Sequence, residues 1–153
     1  MNKKGFTLIE LLAVVVVLSI LVMVTTPNVM NLIDNGKKKI YINDATEFIA
    51  KATYLYSQEP YKNNSEYFEK VNDNTYRIYL NKISSISDKK DSYGNEYKLD
   101  NSYVMFKEPL NNDGLEEVQK SVYIESCDKN NKCHYICNVN LNDLNTDSIS
   151  ASC

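Results

Sequence analysis

An α+β fold, with a long N-terminal helix laid across a small antiparallel sheet of three to four strands, follows from three observations in this 153-residue chain. Phe6 to Val24 is an almost unbroken apolar run. Apolar residues then recur at helical spacing from Tyr41 to Leu55. Beyond residue 75 the pattern changes to short alternating runs separated by polar turns. At 17.6 kDa, with 43% hydrophobic and 24% charged residues, there is room for one ordinary globular domain. The net charge of −3 gives no basic surplus for a phosphate backbone, so direct nucleic-acid binding is not predicted. A single histidine, His134, and no tryptophan leave little material for a histidine metal cage or a histidine-dependent triad. No enzymatic activity, no catalytic residue, no metal and no cofactor is expected.

As helix, the 19 residues from Phe6 to Val24 span about 28 Å, close to the hydrocarbon thickness of a bilayer. The basic Asn2-Lys3-Lys4 ahead of them places the N-terminus in the cytoplasm and residues 28 to 153 outside. A secretory signal peptide would have a shorter apolar stretch and a small-x-small cleavage site, which Val24-Thr25-Thr26-Pro27-Asn28 does not supply. A plain single-pass anchor passes these tests but leaves Glu10 unexplained. A carboxylate inside such a run costs about 2.5 kcal/mol or more near the bilayer centre and by default marks a functional pairing. No Lys or Arg lies between Lys4 and Lys37. Snorkelling of Glu10 to the cytoplasmic face is the plain alternative.

Lys3-Lys4-Gly5-Phe6-Thr7-Leu8-Ile9-Glu10-Leu11-Leu12 resembles the class III leader of type IV pilins and of the pseudopilins of type II secretion. The features that carry the resemblance are a basic leader, glycine before phenylalanine, glutamate fifth after the cut and an uninterrupted apolar run. Pro27, 22nd counting from Phe6, falls where many pilins have a helix-kinking proline. The resemblance implies a prepilin leader over residues 1 to 5, cleavage between Gly5 and Phe6 by a prepilin peptidase, N-methylation of Phe6, and a transmembrane and polymerisation helix over 6 to 27. It implies assembly through Phe6 and Glu10: the new amine of one copy meets the carboxylate of a neighbour and fixes the axial register. Both charges are tolerated only together. An assembly ATPase and an inner-membrane platform protein are further partners that the family implies.

Past Pro27, Tyr41, Ala45, Phe48, Ala52 and Leu55 step by 4, 3, 4 and 3, flanked by Ile42, Ile49 and Tyr56. Asp34, Lys38, Asp44, Glu47 and Lys51 fill the polar remainder. Glu59-Pro60 ends the helix near Gln58, because a residue before proline is pushed out of the α region. Pro27 predicts a kink and Gly36 a second weak point. Lys37-Lys38-Lys39 reads as a solvated face, with anionic lipid or an acidic neighbour as alternatives. The extracytoplasmic domain of residues 28 to 153 thus comprises a helix over 28 to 58, a sheet over about 75 to 139 and a C-terminal loop over 140 to 153.

Thr75 to Asn81, Tyr103 to Phe106, Ser121 to Glu125 and His134 to Val139 carry the strand signal. Asp91-Ser-Tyr-Gly-Asn-Glu-Tyr97 resembles an Asp-Pro-Trp-Gly-Asn-x-Tyr turn of many pseudopilins and Gram-positive pilins, departing at Ser92 and Tyr93. Four cysteines confined to the segment placed outside the membrane predict disulfides. Cys127 and Cys133 bracket a turn and can meet across a hairpin, leaving Cys137 with Cys153 to pin the C-terminal loop; pairing Cys127 with Cys137 and Cys133 with Cys153 is the rival. A tetrathiolate zinc site lacks a Cys-x-x-Cys knuckle. Asn140, Asn142, Asp143, Asn145 and Asp147 offer oxygens without a calcium-loop pattern and read as a polar surface loop. The 12 tyrosines are assigned mainly to the core rather than to ligand stacking.

The expected function is a major or minor pilin of a type IV pilus, held in the membrane and then polymerised into a surface filament. The alternatives are a pseudopilin of type II secretion or DNA uptake, and an anchored extracellular binding domain that does not polymerise.

Overall fold

In the computed structural model, residues 7–58, 66–83, 86, 89–110 and 117–153 are described. The chain divides into two units, Met1–Gly36 and Lys37–Cys153. One helix, α1 (Leu8–Ser57), is continuous through both. Its described end falls one residue before the position that Glu59-Pro60 predicts; that pair itself lies outside the described residues.

In the second unit α1 buries Tyr41, Asp44, Ala45, Phe48, Ile49 and Ala52, one face at steps of three and one. Tyr41, Ala45, Phe48 and Ala52 are fully buried, while Ile42, Leu55 and Tyr56 pack at the margin. The two alanines let the sheet approach the helix backbone. The sheet has seven antiparallel strands, more than the expected three or four: β1 (Glu69–Asn72), β2 (Thr75–Tyr79), β3 (Glu96–Tyr97), β4 (Tyr103–Lys107), β5 (Gln119–Cys127), β6 (Cys133–Asn140) and β7 (Ile149–Ser150). The four runs read from the sequence are β2, β4, β5 and β6. The order is β1-β2-β4-β5-β6-β7, and β3 pairs with β5 beyond the point where β4 stops. Ile78, Val104 and Val122 stand in register across three strands, and with Phe106, Ile124 and Ile136 they cover the helix stripe.

Asp44 departs from the expectation that it faces solvent. Its carboxylate accepts a hydrogen bond from the Tyr97 hydroxyl at 2.8 Å and pairs with Lys89 Nζ at 2.7 Å. These partners allow burial that periodicity alone would forbid. Lys89 Nζ also meets Glu47 Oε2 at 2.5 Å, and hydrogen bonds from Lys51 and Lys89 hold the Glu47 carboxyl down to about 2.

The turn from Asp91 to Tyr97 is built around a side chain rather than around its aromatics. Asp91 Oδ1 accepts from the backbone amides of Tyr93 at 2.8 Å and Asn95 at 2.7 Å. Oδ2 accepts from Asn95 Nδ2 at 3.1 Å and from Ser126 Oγ at 2.7 Å. Gly94, at φ +86°, takes the left-handed position that the turn needs. Ser126 Oγ lies 3.1 Å from the Tyr41 hydroxyl, which also donates to the His134 carbonyl at 3.1 Å, so the turn is tied through β5 and β6 to the helix. Among the described residues no buried side-chain nitrogen or oxygen lacks a partner.

Phe48→Ala should destabilise the globular unit by about 3–5 kcal/mol in denaturant titrations of the detergent-solubilised chain, the cost of emptying a large core site. Tyr54→Ala, at a residue that is 66% exposed on the same helix, should stay within about 0.5 kcal/mol. Burial raises the hydroxyl pKa values of Tyr41 and Tyr97 well above the ordinary value of about 10, and the nearby Asp44 and Asp91 carboxylates push the same way. The unfolded chain therefore releases these protons first. Stability is complete below pH of about 10 and is lost as pH rises beyond it. The unfolding midpoint should fall over that range together with tyrosinate absorbance, and less steeply in Tyr97→Phe.

Candidate functional site

The first described residues form a compact hydrogen-bonded unit at the start of α1. Thr7 precedes the helix and Glu10 lies three residues on. The Thr7 backbone amide donates to Glu10 Oε2 at 2.9 Å and the Thr7 hydroxyl donates to the same oxygen at 2.8 Å, while the Glu10 amide donates to Thr7 Oγ1 at 3.3 Å. This is a capping box: two otherwise orphaned donors at the helix start are satisfied reciprocally. A carboxylate in the first turn also faces the positive end of the helix dipole. Glu10 therefore has a partner within its own chain that is neither a lysine nor an arginine. The pattern Thr-x-x-Glu ahead of an apolar run was the available signal.

Both Thr7 contacts converge on Oε2. Among the described residues Oε1 has no partner, and Glu10 is exposed, so this oxygen is available to a group from outside. Gly5 and Phe6, the expected cleavage and methylation positions, lie outside the described residues, as do Lys3 and Lys4.

From Leu8 to Ile33 the large apolar side chains of α1 are exposed, and the most apolar 18-residue window of the helix has none of its residues buried. By length and composition this helix can cross a membrane. Its hydroxyl groups are turned inward: Ser19 Oγ donates to the Val15 carbonyl at 2.8 Å, Thr25 Oγ1 to Leu21 at 2.9 Å and Thr26 Oγ1 to Val22 at 2.6 Å. No polar hydrogen of these side chains is left facing an apolar surrounding. Pro27 lies inside α1. Having no N–H, it gives no hydrogen bond to the carbonyl one turn back.

At the other end of the chain both cysteine pairs form as first read, Cys127 with Cys133 and Cys137 with Cys153. Cys127 and Cys133 face each other across β5 and β6 with a Cα separation of 4.1 Å. Strand register makes that choice, because Cys127 and Cys133 are direct register partners, whereas Cys137 lies in an irregularity of the β5–β6 pairing. There Asn138, at φ 53°, takes the left-handed conformation of an extra residue in β6. Of the loop residues considered for their oxygens, Asn145 is engaged locally: its Oδ1 accepts from the Asp147 backbone amide at 2.8 Å and caps a short turn.

Residues 1–26 match the prokaryotic N-terminal methylation motif. Over 29 residues the chain is 66% identical to the ComG operon protein 3 homolog of Bacillus licheniformis, a stretch that covers 19% of this chain and 30% of that relative. The chain thus spans about a third of the length of the curated relative it matches. No solved structure matches. The segment that holds the capping box and most of the exposed apolar run is thus similar to the N-terminal segment of type IV prepilins and pseudopilins.

Proposed function

We propose that this chain is a structural subunit of a type IV pilus, not an enzyme. A prepilin peptidase cuts it between Gly5 and Phe6 and the new N-terminus is methylated. The subunit waits in the membrane with its N-terminal end towards the cytoplasm, and an assembly ATPase and a membrane platform protein then add it to an extracellular filament. The observation that carries this reading is the position and state of Glu10. The carboxylate sits one turn from the expected cut, at the start of a helix whose apolar residues are exposed, with one oxygen held by Thr7 and the other available. Thr7 fixes the rotamer, and Oε1 receives the Phe6 amine of a neighbouring copy. Removal of Lys3 and Lys4 with the leader leaves that amine as the nearest cation. Pro27 gives the rod a point at which to bend as neighbours pack.

A second reading, a pseudopilin of a DNA-uptake or secretion system, is favoured by the likeness to the ComG operon protein 3 homolog. The shared segment is the part that both kinds of filament use, and electron microscopy of sheared surface fibres separates a long pilus from a short pseudopilus.

Mass spectrometry of the native protein should find a mature chain that begins at methylated Phe6; an intact Met1 in working protein would overturn the assembly mechanism. Glu10→Val should leave the globular unit folded and the chain in the membrane yet reduce its incorporation into filaments at least tenfold when measured beside the wild type. Equal incorporation would refute the pairing of Glu10 with an amine.

A further inference from the structure

The Lys37–Cys153 unit takes hold of α1 at its first residue. The Ser92 hydroxyl donates to the Lys37 carbonyl at 2.7 Å, and Lys37 Nζ lies 5.4 Å from the centre of the Tyr93 ring, so the Asp91 turn grips the helix there. One turn on, Tyr41 is fully buried, and its hydroxyl is bonded to Ser126 and to the His134 carbonyl. On the other side of Lys37 this support stops. Every residue from Asn28 to Asn35 is exposed, and no described residue of α1 before Tyr41 is buried.

Gly36 sits at that border. A glycine has a structural reason where the backbone is left-handed or where a neighbour comes too close for a Cβ. Neither reason applies here. Among the described residues the glycine with a positive φ is Gly94, and a Cβ on Gly36 would meet nothing within 4 Å apart from the backbone of its own helix turn. Alanine would fit at this position and would favour the helix locally by a factor of about five. Asn28, Asn31 and Asn35, which lead up to Gly36, are poor helix formers as well. Helices draw most of their stability from tertiary packing, and no residue between Asn28 and Asn35 is buried to supply it.

We infer that Gly36 is a hinge in α1, at which the helix bends or opens while the stretch from Lys37 onward stays fixed to the sheet. The Ser92 bond and the burial of Tyr41 keep an opening from running on into the globular unit, which confines the change to the turn around Gly36. The use of the hinge rests on the reading of this chain as a filament subunit. With the apolar run held in the bilayer, a globular unit that can turn about the end of its rod can reach the orientation that neighbouring copies require.

The test uses the full-length chain in phosphatidylcholine nanodiscs, with the four native cysteines left as disulfides and spin labels attached to added cysteines. The pair M30C/K107C reports across Gly36 and leaves Pro27 outside the measured span, while Y54C/K107C reports within the globular unit; all three positions are exposed. Distance distributions from electron–electron coupling should contain a broad component for the first pair that the second lacks. G36A should shrink that component about fivefold and leave the second pair and the unfolding midpoint of the globular unit unchanged. A single narrow distribution for the first pair in the otherwise native chain overturns the hinge and leaves the subunit reading standing. A broad component that G36A does not reduce overturns the assignment to Gly36. G36A should also enter filaments less often than the wild type in the same cells, and equal entry by a variant with narrowed distances overturns the use of the hinge in assembly. The expected distances in a chain that forms no filaments support the hinge and overturn the subunit reading.

Discussion

The carboxylate of Asp91 is removed from water, and a desolvated charge is tolerated only where donors replace the lost hydration. Two backbone amides, the Asn95 amide group and the Ser126 hydroxyl supply that replacement, and each comes from a different requirement of the fold. The amides close a turn around Gly94. Ser126 lies on β5 where β3 pairs with it, and it passes the connection to Tyr41 of the helix. Moving any one of these elements strands a buried polar group at a cost of about 1–3 kcal/mol. The helix, the turn and the central strands are thus fixed to one another by a polar cluster, around which the apolar contacts of Phe48, Ile78, Val104 and Ile124 provide the larger but less directional stabilisation.

The same helix satisfies opposite solvents along its length. From Lys37 onward one face meets the sheet and the other meets water. Before Gly36 the apolar side chains face outward and the few hydroxyls are returned to the helix's own carbonyls. Glu10 fits this scheme because its charge lies at the helix terminus, where unsatisfied amides and the dipole favour an anion. An acid placed mid-segment would have no such support.

The apolar stripe of α1, the four longer strands and the disulfide between Cys127 and Cys133 were legible because each depends on local spacing. β1 was not, since all four of its residues are exposed and no alternation marks it. β3 and β7 contain two residues each and exist only by virtue of the strands they join. Asp44 was misplaced because periodicity sorts residues by polarity, whereas Tyr97 and Lys89 reach it from distant parts of the chain. The role of Thr7 was written in the sequence but eclipsed by the expectation that a membrane carboxylate needs a cation. The bulge formed by Cys137 and Asn138 depends on a left-handed backbone at Asn138 that asparagine permits but does not announce.

Sheets that end in open strands are templates for adding further strands, a hazard for subunits held at high density. Here β7 is only two residues long, and the chain beyond it is bonded back to β6 through Cys137 and Cys153. At the opposite margin β1 is four residues long and bears Glu69 and Lys70, the first paired with Arg77 and the second with Asp73. Neither border offers a long, flat, apolar strand to a neighbour. Both margins are thereby poor templates for strand addition by another copy.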